Sequence, residues 1–217
     1  MNSDDKASAP NIEGIDIPVA ISARHVHPTR EALDALFGRG YQLRVHSPLS
    51  QLGQFAAEET VTLIGPQGRI PHVRVVGPPR AECQVEVSRS DEFLLGIDAP
   101  TRESGHLSGT PGIVLEGPAG QLALDHGVIC ALRHIHMTPA DAQCLGLSSG
   151  ELVNVAVATG DRELVFGDVI VRVAPDYRLE LHLDTDEGNA AGLHQGDSGV
   201  LLFTTTAKGA VRRSTPR

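Results

Sequence analysis

The sequence predicts a mainly β protein made of two related domains. Three observations carry that expectation. Apolar residues make up 41% of the 217 positions, yet aromatics only 3%, with no Trp. The core must therefore rest on Val, Leu, Ile and Ala, and Val and Ile suit strands. Short β-rich runs alternate with turn residues throughout the chain. The chain also repeats itself: Arg24-His25-Val26-His27-Pro28-Thr29 matches Arg133-His134-Ile135-His136-Met137-Thr138.

Three hairpins follow from the turn signals. Val61–Ile64 and Arg69–Val76 flank Gly65-Pro66-Gln67-Gly68. Ile113–Glu116 and Gln121–Leu124 flank Gly117-Pro118-Ala119-Gly120. Val153–Ala158 and Arg162–Val173 flank Thr159-Gly160-Asp161. Strands at this spacing point to barrels or sandwiches rather than βαβ units. Helices are few and short. Thr29 caps one through Ala32, Leu33, Leu36 and Phe37, stopped by Gly38. Thr138 and Pro139 open another that carries Ala140–Leu145 and ends at Gly146.

A looser repeat follows each motif. Arg74-Val75 and Gly77-Pro78 lead to Gln84-Val85-Glu86-Val87-Ser88. Arg172-Val173 and Ala174-Pro175 lead to Glu180-Leu181-His182-Leu183-Asp184. The resulting division is a disordered segment 1–14, a β domain 15–100, a connection 101–111, a second β domain 112–207 and a flexible tail 208–217. Segment 1–14 is polar and has no signal-peptide layout. No apolar run approaches the ~20 residues of a membrane span.

The charge of −9, with only Lys6 and Lys208 as lysines, leaves no basic stripe for nucleic acid. Cys83, Cys130 and Cys144 form no CxxC pair, which argues against a cysteine zinc site or a disulfide framework. The bland class is a cytoplasmic protein with neither a nucleic-acid nor a membrane partner.

The ten histidines are the distinctive feature. Residues two apart on a strand share a face. Val19, Ile21, Ala23, His25 and His27 then share one face, as do Val128, Cys130, Leu132, His134 and His136. Two imidazoles about 7 Å apart along a strand can converge on one metal. A single HxH pair would read as core histidines, but two pairs in matching repeats favour metal. Zinc suits such a site, and cobalt, nickel or iron would also fit. A catalytic metal usually takes three protein ligands and leaves a position open. The repeat nominates Glu86 and His182 as the third ligands, at equivalent strand positions. His46, His72, His106, His126 and His194 have no partner at ligand spacing and read as surface residues.

The stretches IPVAISARHVH, LSQLGQFAAEETVTLIGPQG, RVVGPPRAECQVEVS, APTRESGHLSGTPGI, LRHIHMTP and LELHLDTDEGNA resemble the PduL-type phosphotransacylases, or phosphate propanoyltransferases. The resemblance runs from about residue 17 to 192. It implies two β-barrel domains capped by short helices, a homodimer and two zinc ions per active site. It implies a reaction between acyl-CoA and phosphate that gives acyl-phosphate and coenzyme A, with propionyl-CoA or acetyl-CoA as the acyl donor. Position by position, the zinc ligands fall on His25, His27, Glu86, His134, His136 and His182, and the phosphate-contacting arginine on Arg80. By itself Arg80 reads as a surface residue of a proline-rich turn. Some relatives serve propanediol degradation inside bacterial microcompartments, entered through an amphipathic N-terminal helix. Residues 1–14 contain Pro10 and show no apolar stripe, so no such targeting helix is read.

No nucleophile elbow is present, and no Cys lies beside a His. Direct attack by phosphate needs neither. Arg24 and Arg133 point away from the His pairs and read as braces. Arg102 and the loop 103–112 are the guesses for the coenzyme A nucleotide. Two other classes compete: a cupin-like metal oxygenase or isomerase, and a non-catalytic, zinc-stabilised β-barrel binding module.

Overall fold

The computed structural model describes residues 14–160 and 162–202. The first half of the chain forms β1 (Ile15–Ser22), β2 (His25–His27), α1 (Arg30–Phe37), β3 (Val45–Pro48), β4 (Phe55–Ile64), β5 (Arg69–Gly77), β6 (Gln84–Glu86), α2 (Arg89–Leu95) and β7 (Thr101–Arg102). The second forms β8 (Ile113–Gly117), β9 (Gly120–Leu124), β10 (Val128–Ala131), β11 (His134–Met137), α3 (Pro139–Leu145), β12 (Leu152–Val157), β13 (Leu164–Val173), β14 (Glu180–Asp184), α4 (Thr185–Ala191) and β15 (Ser198–Leu202). The expected disorder of 1–14 and 208–217 concerns residues outside the described ones, Gly14 excepted.

The mainly β class is as expected. Six strands close into a barrel in the order β1-β14-β11-β13-β12-β15, sealed because β15 pairs with both β12 and β1. The other strands form a curled half-barrel, β7-β10-β6-β2-β5-β4-β8-β9, with β3 on β4. This second sheet stays open, since β9 pairs only with β8 and β7 only with β10 among the described residues. All three expected hairpins are present, as β4/β5, β8/β9 and β12/β13.

The two sheets exchange strands. β1 precedes the first histidine motif but belongs to the barrel, beside β14. β10 precedes the second motif but belongs to the half-barrel, beside β6. Each sheet therefore takes strands from both sides of segment 101–111. The uninterrupted row expected from Val19 to His27 needs correction. The ladder breaks between Ser22 and His25, and the chain crosses from one sheet to the other. Ile17 and Val19 pack in the barrel core with Ile135 and Met137. Val26 packs in the half-barrel core, as does Val128.

This exchange brings the four ligand-bearing strands together. β2 lies between β5 and β6, and its register sets His25 opposite Glu86. β11 lies between β13 and β14, with His134 opposite His182. Each of these four strands runs into a short helix. The two helices expected from sequence are present with their caps: the Thr29 side chain accepts from Ala32 N–H, and Thr138 and Asp141 form a capping box.

Candidate active site

The histidine motifs are held in the same way in both halves. The middle residue of each HxH motif, Val26 or Ile135, is fully buried in its core. That fixes the strand and sends the flanking histidines to the other face. His25 Nδ1 lies 2.9 Å from the Ala23 carbonyl, and His134 Nδ1 lies 2.7 Å from the Leu132 carbonyl. An Nδ1–H donated to a carbonyl two residues back leaves Nε2 with its lone pair free. This is the tautomer that metal-binding histidines adopt when their second nitrogen is anchored.

Two trios result, His25, His27 and Glu86 in the half-barrel and His134, His136 and His182 in the barrel. Within each, the candidate ligand atoms lie within 4.8 Å of one another. His25 Nε2 is 3.1 Å from His27 Nε2 and 3.6 Å from the Glu86 carboxylate. Tetrahedral zinc, with bonds of about 2.0–2.1 Å, needs its ligand atoms about 3.4 Å apart. The half-barrel trio is close to that spacing. In the barrel trio, the His134 and His182 rings stack at 4.9 Å, with His136 4.5 Å and 4.6 Å from them. Both ring nitrogens of His136 are buried and have no hydrogen-bond partner among the described residues. Buried polar atoms are rarely left so, and a metal would satisfy one of them.

The electrostatics favour neutral imidazoles, the form that binds metal. Burial, then His134, His182 and Arg172, push the His136 pKa down to about 2. Burial and the neighbouring His182 take His134 to about 4. Burial, with His25 and Arg80 behind it, holds His27 well below the usual histidine range. Burial pushes the Glu86 carboxyl up, but His25, His134 and Arg80 outweigh it and keep the group below the usual carboxylate range. Glu86 thus feels a histidine of each sheet, which makes the two trios neighbours.

Both trios open on one cavity of about 570 Å³. Arg80 reaches it from the loop after β5, tied down by its own N–H to the Pro28 carbonyl at 2.9 Å. Its Nη1 donates to Ser104 Oγ at 3.2 Å. Burial lowers the Arg80 pKa, with Arg172 adding to the shift and Glu86 opposing it. Ser104 comes from the loop guessed for the nucleotide, whereas Arg102 is exposed on β7. His46, His72, His106, His126 and His194 are all exposed, as expected. Arg24 and Arg133 do act as braces, 2.8 Å from Asp91 and from Glu187 respectively.

Sequence reading missed several cavity residues. Arg172 and Tyr177 line it beside His136. Gln51 lies 3.4 Å from His182, and Glu180 lies 3.0 Å from the same ring while accepting from Ser50. The loose match of Arg74-Val75 with Arg172-Val173 was the available signal, and both arginines do face the cavity.

Comparison with known proteins finds relatives over most of the chain. A family model described as phosphate propanoyltransferase matches residues 18–194, which include all six candidate ligands and Arg80. A phosphate propanoyltransferase of Thermotoga maritima is 55% identical over 181 residues, 83% of this chain and 86% of the relative. One from Salmonella typhimurium is 52% identical over 176 residues, 81% and 83% of the two chains. One from Listeria monocytogenes is 47% identical over 192 residues, 88% and 90%. The chain belongs to the phosphate propanoyltransferase family and is an enzyme of the phosphate acyltransferase class.

Proposed function

We propose that the enzyme interconverts a short-chain acyl-CoA and phosphate with acyl-phosphate and coenzyme A, using two zinc ions in the shared cavity. Propionyl-CoA and acetyl-CoA are the substrates in this reading. The observation that carries it is the pair of three-ligand clusters, one per sheet, opening on a single cavity that also receives Arg80. The donor set fits zinc: five imidazoles, of which burial holds His27, His134 and His136 neutral, and one ionised carboxylate.

A phosphate oxygen attacks the thioester carbonyl carbon. The new C–O bond replaces the C–S bond, and coenzyme A leaves as the thiolate. Bound zinc would supply Lewis acidity toward the carbonyl and affinity for the soft sulfur. The chain's own residues supply position. Arg80 offers a planar fork of N–H donors to phosphate, with Ser104 steadying it. The carbonyls of Ala23 and Leu132 fix two imidazoles. No cysteine competes as nucleophile. Burial pushes the Cys130 thiol up to about 12, and none of the three cysteines lines the cavity.

The test is phosphate-dependent release of coenzyme A from acetyl-, propionyl- and butyryl-CoA, before and after prolonged chelation. Activity should vanish with the metal and return with zinc or cobalt, at two ions per chain. Full activity in protein shown to be metal-free would overturn the reading. A single iron or manganese would point to the cupin-like alternative, and no metal with no turnover to a binding module. The homodimer that the resemblance implies is read separately, from the mass in solution.

A further inference from the structure

The cavity holds a second guanidinium that the reading above leaves unused. Arg172 lies on β13 in register with His136 on β11, and its side chain lines the cavity. It makes no hydrogen bond or ion pair with any described residue. The other arginines that line the cavity behave differently. Arg24 pairs with Asp91, and Arg74 donates to two backbone carbonyls. Arg80 is the other exception, holding only a neutral hydroxyl.

Arg172 is nevertheless held in place. Its guanidinium carbon sits 5.8 Å above the centre of the Tyr177 ring. That ring stacks in turn on His136, with centroids 3.9 Å apart. The stack restrains the planar group without using up its N–H donors. Arg172 also lies close enough to Arg80 to disfavour that residue's charge. Two like charges gathered in one half-buried cavity, neither in an ion pair with a protein carboxylate and with Glu86 alone among the six candidate ligands to offset them, favour an added anion.

We infer that Arg172, presented by Tyr177, is the second arm of an anion clamp that holds the attacking phosphate together with Arg80. Inorganic phosphate and the phosphoryl end of acyl-phosphate are near-dianions at neutral pH, and two guanidinium forks match that charge. This inference rests on the reading of the cavity as a site of acyl transfer to phosphate. Tyr177 is a positioning residue in it, because it acts through Arg172.

The experiment compares Arg172→Gln, Arg172→Lys and Arg80→Ala in the metal-loaded enzyme. KM is measured for phosphate and for propionyl-CoA separately, with metal content and phosphate-induced thermal stabilisation as readouts independent of turnover. Loss of a charge-assisted contact should raise the phosphate KM about 10- to 100-fold in Arg172→Gln. The propionyl-CoA KM and the metal content should stay within about twofold. The upward shift of melting temperature on adding phosphate should shrink in step. Arg172→Lys keeps the charge but not the fork or the stack, and should fall between wild type and Arg172→Gln. It also covers the case in which the glutamine variant fails to fold. An unchanged phosphate KM in both Arg172 variants, with Arg80→Ala impaired, would overturn the clamp and leave the phosphate reading intact. A rise confined to propionyl-CoA would overturn it by moving Arg172 to the coenzyme. Unchanged phosphate KM in all three variants would count against phosphate in this cavity altogether.

Discussion

A guanidinium loses hydration when it is buried, and Arg80 recovers only one side-chain hydrogen bond, to Ser104. Its remaining donors face the cavity. Arg80→Ala should therefore raise the KM for phosphate about 10- to 100-fold, the value of a charge-assisted contact of about 1.5–3 kcal/mol. The KM for acyl-CoA and the metal content should barely move. His136 makes a different kind of prediction. Its pKa is pushed down to about 2, against about 6.5 in an unfolded chain. Below pH 6.5 the unfolded, metal-stripped chain takes up a proton that the folded one refuses. Stability is therefore full above pH 6.5 and declines as pH falls, by about 1.4 kcal/mol per pH unit from this residue. Denaturant titrations of stripped protein at pH 7 and pH 5 should show that slope reduced in His136→Gln, and an equal slope would refute it. At this scale much of the candidate site was legible. The RHxHxT repeat pointed to four candidate ligands, and the looser repeat to Glu86 and His182. Arg172 was marked only by the loose match of Arg74-Val75 with Arg172-Val173, because its relation to His136 is made by cross-strand register and leaves no spacing in the sequence.

The ligand-bearing strands and the helices that follow them are joined by a matched pair of ion bridges. Arg24, one residue before His25, lies 2.8 Å from Asp91 of α2. Arg133, one residue before His134, lies 2.8 Å from Glu187 of α4. Both acids are also the N3 members of capping boxes, with Ser88 and Asp184 as N-caps. Each carboxylate therefore closes a helix start and anchors the strand entering the site. Removing the arginine leaves the acid buried with half its partners. Arg133→Ala should cost about 1.5–3 kcal/mol in chemical denaturation. Adding Glu187→Gln should cost little more, because the two residues act as one unit. Simple additivity would refute the bridge. The sequence announced α1 and α3 through Thr caps, an amphipathic run in one and Pro139 in the other. It hid α2 and α4. Neither has the Thr N-cap of α1 and α3 or the N1 proline of α3, and the α4 box opens with Asp184 rather than Ser or Thr. α4 even carries Gly188 in its middle, a poor helix former. Gly188 packs on Ile21 of β1, where an added Cβ would come within 2.9 Å of that side chain.

At the scale of the whole molecule, the repeat foretold two similar β bodies but not that β1 would join the barrel while β8, β9 and β10 joined the half-barrel. Local pattern fixes which residues form strands, whereas a crossing between sheets is decided by packing of both cores at once. The crossing determines how the site is shared. The chain passes from the barrel through Ala23-Arg24 directly into His25, and from the half-barrel through Leu132-Arg133 directly into His134. Glu86 of one trio is held ionised partly by His134 of the other. Two independent sites, one per sheet, would predict that His25→Ala leaves about half the activity. One shared site predicts that either His25→Ala or His134→Ala removes nearly all of it. Residues that act as a unit are non-additive, so the double variant should be scarcely worse than either single one. The measurement is a double-mutant cycle on kcat/KM, with metal stoichiometry and folding followed for each variant. Each single variant should lose binding at its own trio and keep about one ion at the other, so that the lost turnover is traced to the pairing of the sites. Half-activity in both singles, reaching zero only in the double, would show that each sheet works alone.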